Sequence, residues 1–175
     1  MKSDRLFSRD FTLMVIGQII SLLGNAVLRF ALPLQVLDAT GSAAAFGGVL
    51  ALSMVPVLLC SPLGGVLADR VPRQRIMWGL DFSTAALAAG YGLLLAGGHS
   101  VAAVGSMMVL LSAIQALYQP AVQASIPVLV AEEHLPAANG VVAQVQALSS
   151  LLGPVLGGVL YGWVGLAPIV WVGAA

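Results

Sequence analysis

From residue 11 onward the chain is a succession of long apolar stretches broken only by brief polar or glycine-containing punctuation. A helix needs about 20 mostly apolar residues to cross a bilayer, because every backbone N–H and C=O must be bonded within the segment where no water is available. Stretches that meet this length fall at 11–37, 43–68, 76–97, 101–130 and 137–164, which predicts five crossings. The connections at 38–42, 69–75, 98–100, 131–136 and near Gly165 are short, so successive helices must run antiparallel and pack closely. Beyond that last turn, residues 166–175 are apolar but about half the length required to cross, so a sixth helix begins and is not completed. The pattern is that of a truncated N-terminal piece of a longer bundle, with an interfacial stub as the other reading.

Composition agrees with this solvent assignment. Hydrophobic residues make up 59% of the chain and charged residues 8%, and the mean hydropathy is +1.01, far beyond what the core of a water-soluble domain of this size needs. The fold class is therefore all-α and polytopic, with residues 1–10 as an N-terminal extension and 11–175 as the membrane bundle. The first apolar run is too long for a signal-peptide core of about 7 to 15 residues and contains Asn25 and Arg29, so it is retained as a helix. Cys60, the single cysteine, excludes an intramolecular disulfide, and no His, Cys, Asp or Glu spacing fits a metal. No cofactor and no nucleic-acid partner are expected.

Charge sets the orientation. Lys2, Arg5, Arg9, Arg70, Arg73 and Arg75 all fall on one side of the predicted membrane, and the opposite loops contain neither Lys nor Arg. Positive residues in short loops stay in the cytoplasm, so the N-terminus is expected inside a bacterial-type inner membrane. Trp78 and Trp163 near span ends suit interfacial anchoring.

The densest charge lies in Gly64-Gly65-Val66-Leu67-Ala68-Asp69-Arg70-Val71-Pro72-Arg73-Gln74-Arg75. This segment resembles the Gly-x-Leu-Ala-Asp-Arg-x-Gly-Arg-Lys signature between the second and third helices of major facilitator superfamily transporters, with Gly65, Leu67, Ala68, Asp69, Arg70 and Arg73 matching in order. Pro72 stands at the usual second glycine and Gln74 at the usual basic residue; proline cannot supply a positive φ, so the turn must differ in detail. A second stretch, Gly153-Pro154-Val155-Leu156-Gly157-Gly158, resembles the Gly-Pro-x-x-Gly-Gly motif of antiporter branches of that family. Spacings of four between Gly153 and Gly157, and between Gly158 and Gly162, permit close helix approach, while Pro154 permits bending. The opening Leu6-Phe7-Ser8-Arg9-Asp10-Phe11, Thr40-Gly41-Ser42 and Pro120-Ala121 are similar to the drug, macrolide and siderophore exporters of the family. Pro62 to Leu67 recurs loosely as Pro154 to Leu160, in keeping with two three-helix repeats of inverted topology.

Polar residues within spans mark candidate pathway positions, since exposing them to lipid is expensive. Gln18, Asn25 and Arg29 share one face of the first helix at 100° per residue, with Ser21 adjacent, and Ser112, Gln115, Gln119 and Gln123 form a stripe on the fourth. The resemblance implies that these two helices line a central cavity; for the glutamines, helix-to-helix hydrogen bonding is the other reading. Arg29, deep in its span, is read as a cavity residue or as snorkelling to the outer interface. Asp81 is read as a partner for Arg70, Arg73 or Arg75 on the cytoplasmic side. It is read as joining Gly65, Asp69, Arg70 and Arg73, for which the resemblance implies a conformational latch.

The resemblance further implies a secondary transporter that exports a drug-like or siderophore-like small molecule by alternating access. Its partners would be the lipid bilayer, protons and a C-terminal half. Residues 111–116 lack the arginine that many proton antiporters of the family carry there, so proton coupling is a default. A non-transporting membrane scaffold would explain packing but not the charged segment, and an enzyme would need a nucleophile, base or metal cluster that the spans do not supply.

Overall fold

The computed structural model describes residues 6–95 and 100–174, with the side chains of Ala68, Asp69, Leu94, Leu95 and Ala174 outside that description. Among the described residues six α-helices follow one another: α1 (Arg9–Thr40), α2 (Ala43–Arg70), α3 (Arg73–Leu95), α4 (Val101–Leu129), α5 (Leu135–Val164) and α6 (Leu166–Ala174), with a 3-10 turn at Glu132–His134 before α5. Local chemistry sets these ends. Ser8 caps α1 by accepting the Phe11 amide at 3.3 Å, and Ser42 caps α2 by accepting the Ala45 amide at 3.2 Å, each satisfying a first-turn donor. Between them Gly41 takes φ 62°, a left-handed conformation open to glycine at little cost, and its N–H closes on Leu37 O at 2.7 Å. Gly165, at φ 72°, separates α5 from α6.

The expected spans appear as helices, with one difference at the charged segment. Residues 69 and 70 belong to the last turn of α2, and α3 already starts at Arg73, so the connection shrinks to Val71 and Pro72. Val71 is extended at φ −120° and ψ 143°, the conformation a following proline imposes, and Pro72 then leads into α3 with its carbonyl accepting the amides of Arg75 and Ile76. The predicted connection at 98–100 lies largely outside the described residues. Helices α1, α2, α4 and α5 are each long and apolar enough to cross a membrane. Among the described residues α3 does not join that group; Arg73, Gln74, Arg75 and Asp81 fall in its first turns.

The helices pack with an internal symmetry. Exchanging α1 with α4, α2 with α5 and α3 with α6 maps the close pair α1·α5 onto α2·α4, α1·α6 onto α3·α4 and α1·α2 onto α4·α5, while α1·α4 and α3·α6 map onto themselves. This is the arrangement of two inverted three-helix repeats. The close pairs meet through glycine. A Cβ added at Gly64 of α2 would lie 2.9 Å from Ala116 O of α4, and one added at Gly153 of α5 would collide with the Cβ of Ala26 on α1. Without side chains at these points the backbones approach closely enough for dispersion contact along the whole crossing.

Helices α1 and α4 form the centre. One apolar cluster joins Leu28, Leu32 and Val36 of α1 to Met108 and Leu111 of α4, Tyr91 of α3 and Val170 of α6; a second joins Phe11 and Val15 of α1 to Val122 and Ile126 of α4 and Val142 of α5. Outside this centre large apolar side chains face outward, with Leu58 of α2 and Trp163 of α5 exposed by 76% and 83%. A continuous apolar exterior of this kind is stable against lipid rather than water.

Candidate substrate cavity

The polar stripes predicted on α1 and α4 meet in the middle of the bundle. A cavity of about 550 Å³ lies between α1, α2, α4 and α5, and Asn25, Arg29, Gln115 and Gln119 are among the residues that line it. Their helices hold them there because α1 and α4 cross at the bundle centre while α2 and α5, drawn in by Gly64 and Gly153, close the flanks. Two predicted members stand elsewhere. Gln18 shares the helical face of Asn25 and Arg29 but is fully buried and does not reach the cavity. At its level Val15 and Leu22 already pack against Tyr118, Val122, Val142 and Val145, so α4 and α5 seal that face of α1. Among the described residues neither polar atom of Gln18 has a partner, nor does the buried Ser112 hydroxyl on α4. Gln123 is exposed and lines neither described cavity, because the α4 stripe rotates away from the bundle centre by that turn.

Helix α5 supplies cavity residues that the sequence reading missed. Gln146, Ser149 and Ser150 line the space, together with Ser53 of α2, and the Gln146 amide donates to Gln119 Oε1 across the α4–α5 crossing. The signal was present as a polar and small stripe at 146, 149, 150 and 153, one helical face apart by three and four. Asn25 directs its amide back to Ser21 O at 2.9 Å, and Ser53 and Ser150 donate to Leu50 O and Ala147 O of their own helices.

A second cavity, of about 670 Å³, lies between the first turns of α1 and α3 and the last turns of α4. Asp10, Arg73, Trp78, Asp81 and Tyr118 are among its lining residues. Asp81 was expected to pair with an arginine of the charged segment. Its hydrogen bond instead comes from Ser21 Oγ of α1 at 3.0 Å, and it forms no ion pair with Arg70, Arg73 or Arg75 among the described residues. The reason is placement: Asp81 sits two turns along α3 beside α1, while Arg70 and Arg75 project from the exposed helix ends. Arg73 does share the cavity with Asp81.

Residues 14–175 match the Major Facilitator Superfamily. The chain belongs to that family. It is 33% identical over 148 residues to macrolide efflux protein A of Streptococcus pyogenes, covering 83% of this chain and 36% of that protein. It is also 34% identical over 113 residues to macrolide efflux protein A of Enterococcus faecalis, covering 63% of this chain and 34% of that protein. The chain thus spans about a third of the length of the curated relatives it matches. As a major facilitator chain with these apolar helices it is a multi-pass membrane protein.

Within this family member the two motifs differ in what surrounds them. Gly153 and Gly157 of the Gly-Pro-x-x-Gly-Gly stretch are buried against α1, Gly157 facing Val27 O and Phe30, while Pro154 lines the central cavity and a Cβ added at Gly158 would meet only the Phe30 ring edge at 3.5 Å. Gly65 of the charged motif has open space where a Cβ would stand. Arg70 is exposed, Arg73 half-buried, and the Asp69 side chain falls outside the described residues.

Proposed function

We propose that this chain is the N-terminal half-bundle of an exporter that moves a drug-like or siderophore-like small molecule across a bacterial-type inner membrane by alternating access. The observation that carries the reading is the central cavity, where Asn25, Arg29, Gln115, Gln119 and Gln146 gather polar groups within a bundle whose exterior is apolar. A packing scaffold gains nothing from keeping a cationic side chain at that depth, where desolvation costs several kcal/mol. The efflux named for the streptococcal and enterococcal relatives supports the direction of transport. The remaining half would supply the opposing wall, and the N-terminus with Arg70, Arg73 and Arg75 would lie in the cytoplasm.

In this reading Gly65, Asp69, Arg70, Arg73 and Asp81 brace the bundle against its partner half at the cytoplasmic ends of α2 and α3. Such a contact needs only a few kcal/mol of differential stability to set the inward and outward populations. Protons are the proposed coupling ion, as the family resemblance implies. Flux of a labelled amphiphile into sealed inverted vesicles containing the complete encoded polypeptide tests the proposal. A pH gradient should drive accumulation, and the 175-residue chain alone should give none. Absence of flux by the complete polypeptide, with the vesicles still sealed, would favour a scaffold.

A further inference from the structure

We propose that the central cavity selects ligands that present a carboxylate or similarly anionic oxygen on an apolar body, received by Arg29 with Gln115, and that it disfavours amines of the same shape. The inference rests on the transport reading and narrows it to a substrate class. Among the described residues no Asp or Glu lines the cavity, and the one formal charge there is the Arg29 guanidinium. That group stays protonated under all ordinary conditions and offers five N–H donors in a planar fork that matches a carboxylate.

Nothing in the described chain answers this charge. Arg29 forms no ion pair among the described residues. Along α1, Asp38 lies nine residues away, about 13 Å by helical rise, and its carboxylate faces the Tyr161 hydroxyl. Asp81 is held by Ser21 in the other cavity, eight residues before Arg29 on the α1 side, about 12 Å.

Several of the other polar groups already donate elsewhere. Asn25, Ser53 and Ser150 donate to carbonyls of their own helices, and Gln146 donates to Gln119. On α4, Gln115 makes no side-chain hydrogen bond among the described residues and Gln119 only accepts, so both amides remain free to donate into the cavity that Arg29 lines. The rest of the lining is apolar and adaptable: Leu22, Phe30, Leu50, Met54 and Met108. A site with one strong, unanswered cation and soft apolar walls binds an amphiphilic acid and repels an ammonium group.

The anionic oxygen has two sources to distinguish, the ligand and a carboxylate of the opposing half. The test uses the complete encoded polypeptide, with two probes of one aryl-alkyl skeleton, one ending in a carboxylate and the other in a primary amine. Equilibrium binding in nanodiscs and flux in vesicles are both measured. The expected result is at least a tenfold preference for the acid in binding, lost in Arg29→Gln through weaker acid binding and partly kept in Arg29→Lys. Equal affinity for the two probes, preference for the amine, or an Arg29→Gln change that weakens both probes alike would overturn the proposal, the last pointing to a carboxylate from the opposing half. Selective binding without flux would sink the transport reading and leave this one standing; flux of both probes without preference would do the reverse.

Discussion

At Gly153 a single hydrogen atom decides whether α1 and α5 can touch. The Cβ of an alanine there would collide with the Cβ of Ala26 and stand 3.1 Å from its carbonyl carbon, and backbone cannot swing aside as a flexible side chain does. Alanine favours a helix over glycine by about 1 kcal/mol, but overpacking costs about 1–3 kcal/mol, so the clash wins. Gly153→Ala is expected to lower the melting temperature of the detergent-solubilised protein. Gly162→Ala, where nothing lies within 4 Å of the new Cβ, should leave it unchanged or slightly raised. The glycine spacing of this motif was legible in the chain as a packing seam. That Gly153 and Gly157 face α1, while Gly162 faces open space, was not, because spacing fixes a face of a helix but not its neighbour.

Helix ends were the most readable elements. Thr40-Gly41-Ser42 stops one helix and starts the next through a left-handed glycine and a serine cap, and both signals stand in the sequence. Gly41→Val, forced into φ 62°, should cost roughly 1–2 kcal/mol in an unfolding titration, whereas Gly41→Asn should cost less. The charged motif was harder to place. Its residues through Arg70 look like a loop by charge, yet they complete α2, since only Val71 is barred from helix by the proline that follows. Interhelical polar pairing was also hidden at this scale. A double-mutant cycle between Gln119 and Gln146 should show a coupling of about 0.6–2 kcal/mol, the range for hydrogen bonds between membrane helices. A coupling near zero would mean the two amides face the cavity independently.

For the whole molecule the testable quantity is sidedness. With Cys60 replaced by serine, a cysteine at Arg73 should react with an impermeant maleimide only from the cytoplasmic side, and one at Trp163 only from the other. Labelling of both positions from one side would remove the proposed antiparallel course of α2 to α5. The same experiment bears on α3, which packs against α4 and α6 but among the described residues is not apolar enough by its own composition to count as a span.

The chain by itself determined the solvent, the helices and most of their ends, because a membrane demands long apolar segments and caps act over three or four residues. It also supplied the family signature and the polar stripes of α1 and α4. Only the tertiary structure decided which of those polar groups share a cavity: Asn25, Arg29, Gln115 and Gln119 meet there with Gln146, while Gln18 is sealed off and Asp81 turns to Ser21. The physical reason is that a stripe records the rotation of one helix, whereas a cavity depends on where two or more helices cross, and that crossing is set by contacts such as Gly64 on Ala116 and Gly153 on Ala26 between residues far apart in sequence.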